Sequence, residues 1–282
     1  MSTAQSKTFL ITGVSSGLGR AFAEAALDAG HRVIGTVRNA GDADAFAALA
    51  PERAHPLILD VTDFAAIPAA VAAAEHAVGP VAVLVNNAGY GHEGVLEESS
   101  IDDLQRQFAA NVYGPVAMMK AVLPGMRARR AGHIVNVTSM GGFITMPGIS
   151  FYCGSKFALE GISEALGKEV ASFGIRVTAL APGQFRTDWA GRSMDRTPRS
   201  IDDYDAVMDP IRAARQAKSG NQPGDPAKAA QALLALVDAE TPPARLFLGD
   251  DALSLVDQKL DAMRAEIAAW EGLSRSTGFA SS

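Results

Sequence analysis

Thr8-Phe9-Leu10-Ile11-Thr12-Gly13-Val14-Ser15-Ser16-Gly17-Leu18-Gly19-Arg20-Ala21-Phe22 decides the fold. Thr8–Ile11 is a short apolar run that stops at Gly13, and a helical pattern runs from Leu18 to Ala29 and stops at Gly30. A strand that turns through glycines straight into a helix makes a phosphate cradle. Gly13, Gly17 and Gly19 let the backbone turn tightly and approach a pyrophosphate. The helix then offers the anion free N–H groups and a partial positive charge. Ser15 and Ser16 add hydroxyl donors, and Leu18 opens the helix. The spacing is G-x-x-x-G-x-G rather than the G-x-G-x-x-G of many dinucleotide sites.

Working outward, the pattern repeats. Strand-like runs are expected at Arg32–Val37, Leu57–Leu59, Val81–Val85, His133–Val137, Ile175–Leu180 and Leu246–Leu248. Helices are expected at Ala65–Val78, Ile101–Tyr113, Val116–Arg130 and Tyr152–Phe173. The strands are short and almost wholly apolar, as in a parallel sheet covered on both faces. The reading is therefore α/β: an open, doubly wound, mostly parallel sheet of seven strands with helices on both faces. No linker or internal repeat divides the chain, so residues 1–282 read as one domain. Residues 184–224 carry Gly191, Pro198, Pro210, Gly220, Pro223 and Gly224 and read as an irregular substrate lid. Asp225-Pro226 restarts a helix as N-cap and first position. Residues 251–272 read as a C-terminal helix whose Leu253, Val256, Leu260, Met263, Ile267 and Trp270 share one face. That face either packs on its own domain, meets another subunit or covers the site.

Composition narrows the partners. Hydrophobic residues make up 48% and charged residues 20%, which excludes a disordered chain. The net charge of −6 and the lack of a long basic run argue against nucleic acid. No apolar stretch is long enough to span a bilayer, and the polar start lacks a signal-peptide pattern. The single cysteine, Cys153, fits a reducing compartment, and cytoplasmic residence is the expectation. No histidine–cysteine cluster suggests a metal. The second strand ends Val37-Arg38-Asn39, without an acid for a ribose 2′-hydroxyl and with a cation for a 2′-phosphate. NADP(H) is therefore expected over NAD(H).

Tyr152 and Lys156 stand four residues apart and share a helical face. An ammonium beside a phenol lowers the phenol pKa and makes it a usable acid and base near neutrality. Ser139 ends the preceding strand 13 residues earlier and faces the same rim.

These residues, taken together, resemble the short-chain dehydrogenase/reductase family in its compact single-domain branch. The resemblance spans about residues 7–250. It is carried by the glycine turn 12–19, Asp60-Val61, Asn86-Asn87-Ala88-Gly89, Asn111, Ser139, Tyr152-x-x-x-Lys156 and Pro182-Gly183 with Thr187. It implies a Rossmann-type fold and an oxidoreductase passing hydride between a nicotinamide and a carbonyl or secondary alcohol. It implies Tyr152 as general acid and base, with Lys156 lowering its pKa and holding the nicotinamide ribose. Ser139 would bind the substrate oxygen, and Asn111 would support a water in a proton relay. Asp60 and Val61 would bind adenine; Asn87, Ala88 and Gly89 would line the cofactor. Pro182, Gly183 and Thr187 would cover the nicotinamide amide. From the residues alone, Asp60 is also a candidate helix cap, Asn86 and Asn87 are also candidates for satisfying backbone groups at a strand end, and Asn111 is also a candidate buried hydrogen-bonding residue.

Phe143, Met146, Phe185, Trp189 and Met194 are expected to shape a hydrophobic substrate pocket. His92 is a candidate for the pocket mouth, and Cys153 reads as a packing residue. Homodimers or homotetramers are expected through the long helices over 101–130 and 152–173, where Ala158, Gly161, Ala165 and Gly167 permit close approach. Two other functions fit the same motifs: an NAD-dependent alcohol dehydrogenase and a dinucleotide-binding regulator without catalysis.

Overall fold

The computed structural model describes residues 6–191 and 193–279. In chain order the elements are β1 (Thr8–Ile11), α1 (Gly17–Asp28), β2 (Arg32–Val37), α2 (Ala40–Ala47), β3 (Ala54–Ile58), α3 (Ile67–Val78), β4 (Val83–Asn86) and β5 (Gly91–Glu93). Next come α4 (Ile101–Phe108), a π-helical turn (Ala109–Tyr113), α5 (Gly114–Arg129), β6 (Gly132–Val137), α6 (Ser150–Val170) and β7 (Ile175–Pro182). The chain continues through β8 (Met194–Arg196), α7 (Asp205–Ala217), α8 (Pro226–Asp238), β9 (Arg245–Leu248) and α9 (Asp250–Arg275).

Seven strands form one parallel sheet in the order β3-β2-β1-β4-β6-β7-β9. Alternation along each strand divides the core. Phe9, Ile11, Val83, Val85, Val135 and Leu180 point to one face and bury with Phe22 of α1 and Leu233 of α8. Leu10, Ile34, Leu84 and Ile134 point to the other and bury with Val71 of α3 and Met118 and Val122 of α5. Each such side chain contributes about 1.5–3 kcal/mol by leaving water. Strand order reverses between β1 and β4, and ligands of open parallel sheets bind in the crevice at such a point.

Several boundaries differ from the expectation. The third strand is Ala54–Ile58, not Leu57–Leu59. It lies at the sheet edge, alternates in burial and accommodates Pro56, so a search for continuous apolar runs misses it. α2 was not expected; Asn39 caps it by accepting from the Asp42 N–H at 2.9 Å. The helices expected at 101–113 and 116–130 are continuous through the π turn, and Gly114-Pro115 open α5 directly after it. The segment 184–224 is not irregular: it holds β8, which pairs in parallel with β5, and the 13-residue α7. Pro210 sits inside α7 rather than ending it. The helix keeps its place through buried Met208 and through Arg212 and Arg215, both ion-paired with Glu93.

α9 packs only at its start. Val256 and Ala252 are buried against Met140 and Ile144, while Leu253 and all of residues 261–279 are exposed. No helix among the described residues is long and apolar enough to cross a membrane.

Candidate active site

A cavity of about 1240 Å³ opens beyond the carboxyl ends of the strands. The turn after β1 forms one end. Gly13 and Gly17 have φ of 73° and 60°, a left-handed conformation that side chains disfavour. Asn87, after β4, locks this turn. Its Nδ2 donates to the carbonyls of Thr12 (2.9 Å) and Gly13 (3.2 Å). Thr12 Oγ1 accepts from the Asn87 and Ala88 N–H groups, both at 2.9 Å. Gly19 does not line the cavity; it packs so tightly on the Gly13 carbonyl and Asn87 that a Cβ would collide with both. Ser16 caps α1 without a side-chain hydrogen bond to the helix, leaving its hydroxyl for a ligand.

Gly13, Ser15, Ser16, Gly17 and Leu18 line this end, with Arg38, Asp60 and Val61 beyond them. Asp60 does not cap α3. Its Oδ1 accepts from the Thr62 N–H (2.8 Å) and hydroxyl (2.7 Å). Partial burial disfavours its charge, but those bonds and Arg38 prevail and hold the carboxyl below its ordinary value. Asp42, which sequence reasoning missed, also lines the cavity, pinned by a bond from Asn39 Nδ2 at 2.8 Å.

Asn87, Ala88 and Thr187 stand against this turn, and Gly89, Ser139, Tyr152, Lys156, Pro182 and Gly183 also line the cavity. Ser139 follows β6, and Tyr152 and Lys156 lie one turn apart on α6; all three are buried. Asn111 does not reach the cavity. It sits in the π turn, where Oδ1 accepts from the Tyr90 N–H (3.1 Å) and Nδ2 donates to the Tyr90 carbonyl (3.0 Å) and Ser155 Oγ (3.1 Å). It thereby ties the Gly89-Tyr90 wall to α6.

The expected lowering of the Tyr152 pKa is not found. Burial pushes the phenol above its ordinary value, against a hydrogen bond from Ser139 that pulls it down. The Lys156 ammonium lies over the face of the Tyr152 ring, 5.8 Å from its centroid, and donates to the Val137 carbonyl at 2.8 Å. Burial brings Lys156 down to about 8, opposed by Glu160 one turn further on.

Met146, Phe185, Trp189 and Met194 line the cavity, and the Trp189 ring lies 5.0 Å from that of Tyr152. Phe143 does not; its ring packs edge-on against Phe247 at 5.7 Å, under the start of α9. His92 is buried in β5, stacked on Phe151 and bonded to Thr197 Oγ1 at 2.9 Å, and stays clear of the cavity. Cys153 is buried, and burial pushes its thiol up. Tyr90, Arg215, Lys218 and Gln222 also line the cavity. For Arg215 and Lys218 the signal was the helical period through Ile211 and Ala214, and for Tyr90 its place after Gly89; Gln222, in the loop before α8, carried none.

The sequence profile of short chain dehydrogenases matches residues 7–197. The chain belongs to that family. This dehydrogenase is 39% identical over 269 residues to an oxidoreductase, BOA17, of Botryotinia fuckeliana, covering 95% of this chain and 98% of that one. It is 35% identical over 247 residues to a 3-ketodihydrosphingosine reductase of Bacteroides thetaiotaomicron, covering 87% and 88%. A short-chain dehydrogenase structure from Streptomyces avermitilis superposes with a TM-score of 0.91 at 43% identity, covering 99% of this chain and 100% of that one. The dehydrogenase is thus an oxidoreductase of CH–OH and C=O groups that uses a nicotinamide dinucleotide. Solved neighbours include complexes with NADP and with NAD.

Proposed function

We propose that this dehydrogenase is an NADP(H)-dependent oxidoreductase that passes hydride between the nicotinamide and a largely hydrophobic carbonyl compound or secondary alcohol. The observation that carries this reading is a placement: the Tyr152 phenol is buried on the cavity wall beyond the strand ends, with Ser139 and Lys156 on the same wall. A phenol, a hydroxyl and an ammonium converging there suit proton transfer at a carbonyl or alcohol oxygen.

The donor set fits a dinucleotide. The N–H groups at the start of α1, with Ser15 and Ser16, suit a pyrophosphate, and the glycines leave room for it. Arg38 suits a 2′-phosphate; Asp60 and Val61 suit adenine. Asn87, Ala88 and Gly89 would wall the nicotinamide half, Pro182, Gly183 and Thr187 would cover it, and Lys156 would hold its ribose; all of them line the cavity. When bound, the dinucleotide supplies the hydride. Tyr152 gives the carbonyl oxygen its proton, Ser139 donates a hydrogen bond to that oxygen, and the Lys156 ammonium supports the phenolate left behind. Asn111 acts at a distance by fixing Tyr90 and Ser155.

Cytoplasmic residence and a homodimer or homotetramer belong to the same reading. Ile101, Tyr113 and Phe157 are exposed along α4–α5 and α6, apolar surface that a second subunit would cover.

Tyr152→Phe tests the chemistry. Turnover should fall at least a thousandfold in a carbonyl panel followed by nicotinamide absorbance, while the affinity for NADPH stays within about twofold and exceeds that for NADH. Full turnover in the variant sinks the assignment; tighter NADH binding sinks the choice of cofactor.

A further inference from the structure

The cavity continues past Tyr152, and its far wall changes polarity along its length. Met146, Ile149, Trp189 and Met194 make it apolar next to the phenol. α7 lies across it with Ile211, Ala214, Arg215 and Lys218 facing in. Steps of three, one and three residues define one helical face. That face is apolar at Ile211 and Ala214 and cationic at Arg215 and Lys218, a change completed within about 10 Å of helix.

Of the two cations at this end, Arg215 is held by the protein. Glu93, wholly buried in β5, is one carboxylate among three guanidiniums: Arg212 and Arg215 each at 3.0 Å and Arg196 at 3.7 Å. The cluster pins α7 across the cavity. Arg215 also donates to the Pro147 carbonyl at 3.2 Å, which fixes it at the cavity wall. The acids on this part of the wall are engaged elsewhere: Asp195 lies 3.8 Å from Arg106, and Asp188 has a partner of its own. Among the described residues the Lys218 ammonium has neither a hydrogen bond nor an ion pair.

We propose that the substrate is a carbonyl compound or secondary alcohol whose apolar body ends in an anionic group such as a carboxylate, and that Lys218, with Arg215 beside it, receives that group. The proposal rests on Tyr152 being the reacting end of the same cavity.

The test is equilibrium binding, which needs no turnover. Straight-chain carboxylates and their methyl esters are titrated by calorimetry into the full-length protein saturated with oxidised dinucleotide. The carboxylate should bind about fivefold more tightly than its ester at low ionic strength, with the gap closing as salt is added. Lys218→Gln should abolish the preference and Lys218→Glu reverse it. Thermal unfolding should not move, since this side chain is exposed. Equal affinities in the wild type, or a preference that survives Lys218→Gln, overturns the proposal. So does a loss of dinucleotide affinity in Lys218→Gln with the carboxylate preference intact, because the ammonium then serves the cofactor pyrophosphate. Failure of the Tyr152 reading shows separately, as turnover retained in Tyr152→Phe.

Discussion

Glu160 governs the charge beside Tyr152, the acid of the proposed chemistry. It lies four residues after Lys156 and is buried. One oxygen accepts from Thr138 Oγ1 and the other from Arg245 Nε, both at 2.6 Å. Arg245 comes from β9, so strand, helix and serine loop meet at this carboxylate. The charged groups around Lys156 are thus Glu160 on its own helix and Arg245 behind it, with the neutral Tyr152 in front. Burial lowers Lys156 to about 8, and the Glu160 charge is what keeps it from falling further. A lysine that must be protonated works below its pKa and fails above it. The alkaline limb of kcat/KM is therefore expected near pH 8, and Glu160→Gln should move it to lower pH. At pH 8 the variant should lose activity several-fold, with little loss at pH 6. A uniform loss across the pH range would mean that Glu160 only braces Arg245 and Thr138.

Among elements, the join of β1, its turn and α1 shows how local chemistry becomes a site. The turn is shaped by positive φ at Gly13 and Gly17, while Gly19 allows α1 to sit on the Gly13 carbonyl and Asn87. Gly19→Ala would push the helix off Asn87, disturb the bonds to Thr12 and Gly13, and cost about 1–3 kcal/mol by overpacking. Dinucleotide affinity should drop with it, measurable by titration alongside thermal unfolding; a variant with unchanged affinity would show that the lock is dispensable. This join was legible in the sequence because its signals are local: an apolar run, glycines, then a helical period. The Tyr152–Lys156 pair was legible for the same reason. α2 was not, since eight residues with one cap carry little periodicity, and the edge strand β3 hid behind Pro56. α7 was lost because Pro210 reads as a break, whereas the ion pairs that hold the helix arise from Glu93, more than a hundred residues away. The pKa of Tyr152 was misjudged because i,i+4 spacing fixes a shared face but not burial, nor the Val137 carbonyl that draws the ammonium aside.

Across the whole molecule, the second layer over the serine loop is the start of α9. Val256 and Ala252 close a small apolar cluster with Met140 and Ile144, which flank the loop carrying Ser139. The sequence period that joins Leu253 to Trp270 runs straight through the point where packing stops. Spacing fixes a shared face, but only the shape of the fold decides how far there is something to cover. Two changes on one helix should therefore part company. Val256→Asp places a charge in a closed apolar cluster and should destabilise by about 3 kcal/mol, lowering the unfolding temperature by several degrees and turnover with it. Truncation after Leu260 removes only exposed residues among those described and should leave the unfolding temperature within about two degrees and turnover intact. A truncated protein that unfolds as early as Val256→Asp would show that residues 261–279 carry stability through contacts outside this chain's own core.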